Sequence, residues 1–393
     1  MDSTRRNVAL LAACQALLLT NSATLIAING LAGLALAPTR ALATLPVTCW
    51  VAGGALATML ASLHMKRVGR QRGLMAGTLW GVVGALICAG AVWMQSFWLL
   101  CFGALVFGVY NAYGQYYRFA AADVASADFK STAISLVLAG GLVGGILGPT
   151  TSRFTVDLLA PRFTGAYLAL IGFALATMLL LRFIRIPAPD AKMQAAPGRP
   201  LREIAAQPKF IVAVLSGAIG YGVMNFLMTS TPIAMGVCGH PYGDAAFVIS
   251  SHVIGMFAPS FFTGGLIRRL GVLPVMFAGA LLNFAGIGVA LSGISVAQFW
   301  GALVLVGVGW NFLYTGGTTL LTGTYRPEEM AKAQGANDQV IFIVMLVSSL
   351  ASGATVTAAG WERVNLYALP MVAVVAGAIV WFAFKERAGK VAA

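Results

Sequence analysis

Ser62-Leu-His-Met-Lys66-Arg67-Val-Gly69 and Gly264-Gly-Leu-Ile-Arg268-Arg269-Leu-Gly271 present one pattern twice, offset by 202 residues. In each copy two adjacent cations and a glycine separate one long apolar stretch from the next. At the same offset, Lys130 and Lys332 each stand at the opening of an apolar stretch. A pattern that returns after 202 of 393 residues predicts a chain made of two similar halves.

Working outward from these loops, the chain is 59% hydrophobic and only 9% charged, with 46 glycines and 15 prolines. Soluble domains carry roughly 25% charge, so the composition predicts a protein that crosses a membrane many times. One crossing takes about 20 apolar residues. Twelve such spans are predicted, at 8–30, 44–63, 73–94, 97–117, 130–152, 163–183, 209–231, 244–266, 272–292, 296–322, 333–358 and 362–384. The one long polar connection, 184–208, is rich in Pro, Ala and charge and reads as a linker. The expected organisation is an N-terminal six-helix bundle over 1–183, a cytoplasmic linker over 184–208 and a C-terminal six-helix bundle over 209–393. The fold class is an all-α membrane protein of twelve transmembrane helices in two pseudo-symmetric bundles.

The net charge of +13 is a topology signal. Loops on one side of the predicted spans hold 21 of the Lys and Arg residues, and those on the other hold 4, namely Arg40, Arg153, Arg162 and Arg363. Cations concentrate on the cytoplasmic side, so both termini and the linker are expected there, and no nucleic-acid partner is implied. Arg5 and Arg6 precede an apolar run too long for a signal-peptide core, which predicts a retained first helix.

Two six-helix halves with a basic, glycine-containing loop after the second helix of each resemble the major facilitator superfamily over essentially the whole chain. That superfamily commonly has an aspartate where this sequence has Lys66, so its usual charge relay at this loop is not expected. Gly140-Gly141-Leu-Val-Gly144-Gly145-Ile-Leu-Gly148-Pro149 is similar to a motif of exporters in the superfamily. Close packing through small residues is the plainer explanation.

Polar residues inside spans narrow the reading. Gln15, Asn21 and Ser22 in the first span, Asn111, Tyr113 and Gln115 in the fourth, and Asn311 and Tyr314 in the tenth are costly against lipid. They should line a cavity or bridge helices. The twelve acidic residues all fall in loops or near span ends, Asp338 being the deepest. It is expected to cap its helix or to take part in proton coupling. Arg118 and Asp123 are expected to act together at the cytoplasmic end of the fourth span, and His64 to be solvated in a loop. Of the five cysteines, Cys14, Cys88 and Cys101 read as packing residues, while Cys49 and Cys238 fall near outer span ends.

Met224-x-x-x-Met228 in the seventh span and His252-x-x-x-Met256 in the eighth each place two side chains on one helix face. Three thioethers and an imidazole are a soft donor set suited to Cu(I). This motif pair, with its 28-residue separation of Met224 from His252, resembles the copper-importing branch that serves bacterial cytochrome oxidase assembly (CcoA-type transporters). The resemblance implies Met224, Met228, His252 and Met256 as metal ligands, Cys49 and Cys238 as a thiol relay, and copper as transported substrate with no resident cofactor. It further implies periplasmic or cytoplasmic copper chaperones as partners, beside the lipid bilayer, and a monomer in the cell inner membrane. The soft, neutral donor set also stands as a Cu(I) site without the resemblance; the alternative is that all four are packing residues, with His252 bonded to a carbonyl. The expected function is therefore copper import by an alternating-access secondary transporter. The alternatives are a proton-coupled exporter of small organic compounds and a non-transporting metal sensor. No G-x-x-x-x-G-K-[ST] loop is present, which speaks against direct ATP use, and no nucleophile–base set suggests an enzyme.

Overall fold

The structure, a computed structural model, describes residues 3–39, 42–186 and 198–391. Arg40 and Lys192, both used in the charge count, lie outside the described residues. The order of elements is α1 (Ser3–Leu36), α2 (Leu45–Val68), α3 (Arg70–Trp93), α4 (Phe97–Gly114), α5 (Tyr117–Val124), α6 (Lys130–Thr155) and α7 (Thr164–Arg182). It continues with α8 (Leu201–Ala205), α9 (Pro208–Val237), α10 (Tyr242–Phe257), α11 (Ser260–Leu270), α12 (Val272–Leu291), α13 (Val296–Leu321) and α14 (Met330–Val391). Hydrocarbon offers the backbone no hydrogen-bond partners, so an apolar crossing segment has to satisfy its own amides, and the helix does so.

Among the described residues 11 helical stretches are long and apolar enough to cross a membrane, the last of them 62 residues long. Inside α14, however, Gly360 has φ 79° and ψ 176°, which no helix tolerates. That residue falls between the predicted span ends at 358 and 362 and divides α14 into two crossings. The fold is thus an all-α, multi-spanning membrane protein with the twelve crossings expected.

Two expected spans are broken. The fourth is α4 followed by α5, with a turn at Gln115 and Tyr116. The eighth is α10 followed by α11, interrupted at Ala258 and Pro259. Pro259 has no N–H to donate to the carbonyl of Gly255, so the α-helical ladder stops there. The linker also holds more order than its composition suggests. It contains α8, and Arg199 bonds Glu329 through Nε at 2.8 Å and through Nη2 at 2.6 Å. That contact holds the Arg199 guanidinium above its ordinary value.

The repeat that organises the sequence returns in the backbone. Gly69 joins α2 to α3 with φ 88°, ψ 155°, and Gly271 joins α11 to α12 with φ 89°, ψ 162°. Only glycine occupies this positive-φ region without steric penalty. The preceding cations, Lys66–Arg67 and Arg268–Arg269, lie in the last helical turns, where they offset the negative end of the helix dipole.

The chain forms two compact units. Unit 1 comprises 1–125, 136–197 and 330–342; unit 2 comprises 126–135, 198–329 and 343–393. In unit 1, α3 packs on α4 and α7, α2 on α4, and α1 on α7. In unit 2, α13 is central and receives α9, α10 and α12. Large apolar side chains such as Leu56, Leu60, Trp98, Phe102 and Phe261 are exposed. On a soluble surface such a belt would be an aggregation liability; here it is the face toward lipid.

The α6 glycines serve packing. A Cβ on Gly144 would stand 2.6 Å from the Ala16 carbonyl oxygen, and Gly140 and Gly148 likewise leave no room against α1. Thr24 Oγ1 donates across this seam to the Gly148 carbonyl at 3.0 Å.

Candidate solute site in unit 2

The site is built on how closely α9 and α10 approach α13. Gly307 removes the side chain that would keep α10 away: its Cβ would lie 2.8 Å from the His252 carbonyl oxygen. Gly255 does the same from the other side, 3.0 Å from the Val304 carbonyl oxygen. On α9, Gly220 faces Leu313, and a Cβ there would meet that side chain at 3.2 Å.

This approach brings four rings together. Trp310 and Tyr314, one turn apart on α13, are stacked with centroids 5.0 Å apart and planes at 16°. Tyr221 of α9 stands nearly perpendicular to both, at 5.3 Å from Trp310 and 5.5 Å from Tyr314. Phe257 of α10 meets Trp310 edge-on at 5.6 Å. Trp310 is 1% exposed, and its indole N–H has no hydrogen-bond partner. Tyr221 alone of the four is partly exposed.

A polar seam holds the rings in place. Asn311 Nδ2 donates to the Met256 carbonyl at 2.7 Å and to Ser260 Oγ at 2.5 Å, while its Oδ1 accepts from Thr263 Oγ1 at 2.7 Å. His252 is fully buried, and its Nδ1 lies 2.6 Å from the Leu303 carbonyl oxygen. A carbonyl only accepts, so Nδ1 carries the proton and a neutral ring leaves Nε2 as an acceptor. That Nε2 has no partner.

Of the sequence-predicted ligands, Met224 and Met256 are buried with His252, and Met228 is half-buried. His252 already spends one nitrogen on a carbonyl. Among the described residues no group of three or more His, Cys, Asp or Glu comes together to hold a metal ion. Cys49 lies in unit 1 and Cys238 in unit 2, both with free thiols, and the neighbour of Cys49 is Cys101. Asn311 and Tyr314 were legible as polar residues within a span. Tyr221, Phe257 and Trp310 were missed, although Trp310 and Tyr314 at i, i+4 and Tyr221 one turn before Met224 carried the signal.

Unit 1 contains a different constellation. Arg118 Nη2 donates to Asp338 Oδ1 at 2.5 Å, with both side chains 2% exposed. Asn337 Nδ2 donates to the same oxygen at 2.7 Å, and the Arg118 guanidinium lies 4.4 Å from the centre of the Phe119 ring. Asp123 pairs with Arg70, at 2.9 Å. Arg70 also bonds Gln334. His64 sits within α2, half-buried, with Nδ1 2.8 Å from the Tyr113 hydroxyl, and so is not a solvated loop residue.

Comparison with known proteins settles the class. The family model of the Major Facilitator Superfamily matches residues 10–338. The chain is 40% identical over 374 residues to the riboflavin transporter RfnT of Brucella anthropi, covering 94% of each protein. It is 29% identical over 361 residues to the uncharacterised MFS-type transporter YddS of Bacillus subtilis, covering 86% of this chain and 82% of that one. In three dimensions it is similar to FucP, a facilitator transporter in the outward conformation, with a TM-score of 0.77, 18% identity and 97% and 99% of the two chains covered.

The likeness to a riboflavin transporter overturns the copper-importing branch. Copper as transported substrate, copper import as the activity and copper chaperones as partners fall with it. The physical reason is that Met and His at i, i+4 arise on any packed helix face, so the spacing holds no information about a metal. The superfamily itself stands: matched over most of its length and 40% identical to a relative over 94% of it, this transport protein, not an enzyme, belongs to the Major Facilitator Superfamily.

Proposed function

We propose that this protein is an alternating-access secondary transporter that moves a small, uncharged organic solute of the riboflavin kind across the bacterial inner membrane. The observation that carries the reading is the 40% identity to a riboflavin transporter over 94% of both chains. The site supports it. Tyr221, Phe257, Trp310 and Tyr314 form a neutral aromatic group, suited to a flat solute. Met224, Met228, His252 and Met256 are in this reading helix-packing residues, with His252 bonded to the Leu303 carbonyl. The two six-helix halves joined by 184–208 supply the moving parts, and the charge bias of 21 to 4 supports an orientation with both termini in the cytoplasm. Thiol labelling at the termini checks that orientation.

The test is flux. The purified full chain in liposomes should exchange labelled riboflavin for unlabelled riboflavin across the membrane, faster than protein-free liposomes. Flux that responds to an imposed pH gradient favours proton coupling. Riboflavin flux equal to that of empty liposomes overturns the reading.

A further inference from the structure

We propose that Tyr221 is the stacking platform for a planar heteroaromatic ring of the solute, held in position by the Trp310–Tyr314 pair behind it. The inference rests on the reading of a riboflavin-like solute and adds the residue that recognises it.

Three observations support the assignment. First, Tyr221 is wedged: its ring is perpendicular to Trp310 at 88° and to Tyr314 at 79°, with centroids 5.3 and 5.5 Å away. Those rings are themselves stacked and buried. A ring fixed by edge contacts loses little freedom when a second ring lies on it, and such preorganisation converts into affinity. Second, exposure separates the four rings. Trp310, Tyr314 and Phe257 are buried, whereas Tyr221 keeps part of its surface open, so it is the member a solute can reach. Third, the cluster is made of neutral rings, with an unpartnered indole N–H on Trp310 among them. Such a cluster leaves the phenol's electron-rich face to attract an electron-poor flat ring.

The experiment uses the full chain, purified in detergent, with riboflavin as the probe. Riboflavin fluorescence is quenched when its ring stacks on a phenol or indole, so a titration reads affinity and stacking together. Tyr221→Leu removes the π face and keeps bulk; Tyr221→Phe keeps the face and removes the hydroxyl. Stacking on an aromatic side chain supports an expected loss of about five- to 150-fold in affinity for the Leu variant, with loss of quenching. The Phe variant should stay within about twofold of wild type. Lumichrome, which is the ring without its ribityl chain, should lose competition in the Leu variant by the same factor. If Tyr221→Leu does not elute as folded protein, Tyr221→Met takes its place. Wild-type affinity and quenching in the Leu or Met variant overturn the proposal, as does an equal loss in Leu and Phe, which would assign the effect to the hydroxyl. If the wild type ignores riboflavin but binds lumichrome with the same Tyr221 dependence, the platform stands and the riboflavin reading falls. Binding of neither overturns both.

Discussion

Arg118 and Asp338 in unit 1 lie 2.5 Å apart with each side chain 2% exposed, whereas the Trp310 cluster in unit 2 is built without a carboxylate, ammonium or guanidinium. Both regions are buried in helices that cross a membrane, yet they meet the cost of polar burial differently. The Arg118–Asp338 site of unit 1 takes in full charges, and Asn337, Gln115 and the Phe119 ring join the ion pair in offsetting them. The ring cluster of unit 2 takes in neutral groups and leaves two nearby polar atoms, the Trp310 N–H and His252 Nε2, without partners. An unpaired neutral donor costs about 1–3 kcal/mol, an unpaired ion considerably more.

The comparison can be broken most directly at Asp338. Asp338→Leu strips Arg118 of its counter-ion and should cost about 3–5 kcal/mol. It should read as a large fall in the midpoint of thermal unfolding in detergent, while the double variant with Arg118→Met recovers most of the loss. If the single variant melts like wild type, the pair does not neutralise a buried charge and the contrast with unit 2 collapses.

A smaller effect is expected where unit 2 depends on close backbone approach. Gly307→Ala places a methyl 2.8 Å from the His252 carbonyl oxygen and 3.0 Å from the Met256 amide nitrogen. Overpacking of this kind costs about 1–3 kcal/mol. It should also weaken riboflavin binding, because α10 and Phe257 are pushed away from Trp310. Unchanged melting together with unchanged binding would mean that the α10–α13 seam does not position the rings.

The smallest effect tests burial itself. Arg162 and Asp157 form a pair at 2.8 Å, with side chains 61% and 69% exposed. Arg162→Ala should cost less than about 1 kcal/mol, and the shift should shrink further in high salt. A loss as large as that of Asp338→Leu would show that ion pairing alone, not burial, sets the cost in unit 1.

Much of the architecture was legible in residue order because it rests on local physics. Apolar runs of spanning length, the breaks between them and the Lys/Arg bias are properties of neighbouring residues. The 202-residue repeat even placed the two glycines whose backbone torsions agree within a few degrees. Gly360 was legible in the same way, as the gap between the last two spans. The copper reading came from equally local information, two i, i+4 pairs, but a solute is not recognised locally. Spacing along one helix cannot tell a ligand pair from a packing face, because both require the same period.

What only the tertiary structure decided is which distant side chains share a neighbourhood. Arg118 finds Asp338 across 220 residues. Tyr221, Phe257 and Trp310 converge from three helices because glycines at 220, 255 and 307 let those helices meet. His252 turns its Nδ1 to a carbonyl 51 positions away. The sequence by itself determined that this chain crosses a membrane twelve times in two related halves, since hydrophobicity and chain reversal act over a few residues. The ring cluster and the buried ion pair depend on packing between helices, where a single absent Cβ or one available carboxylate decides what comes into contact.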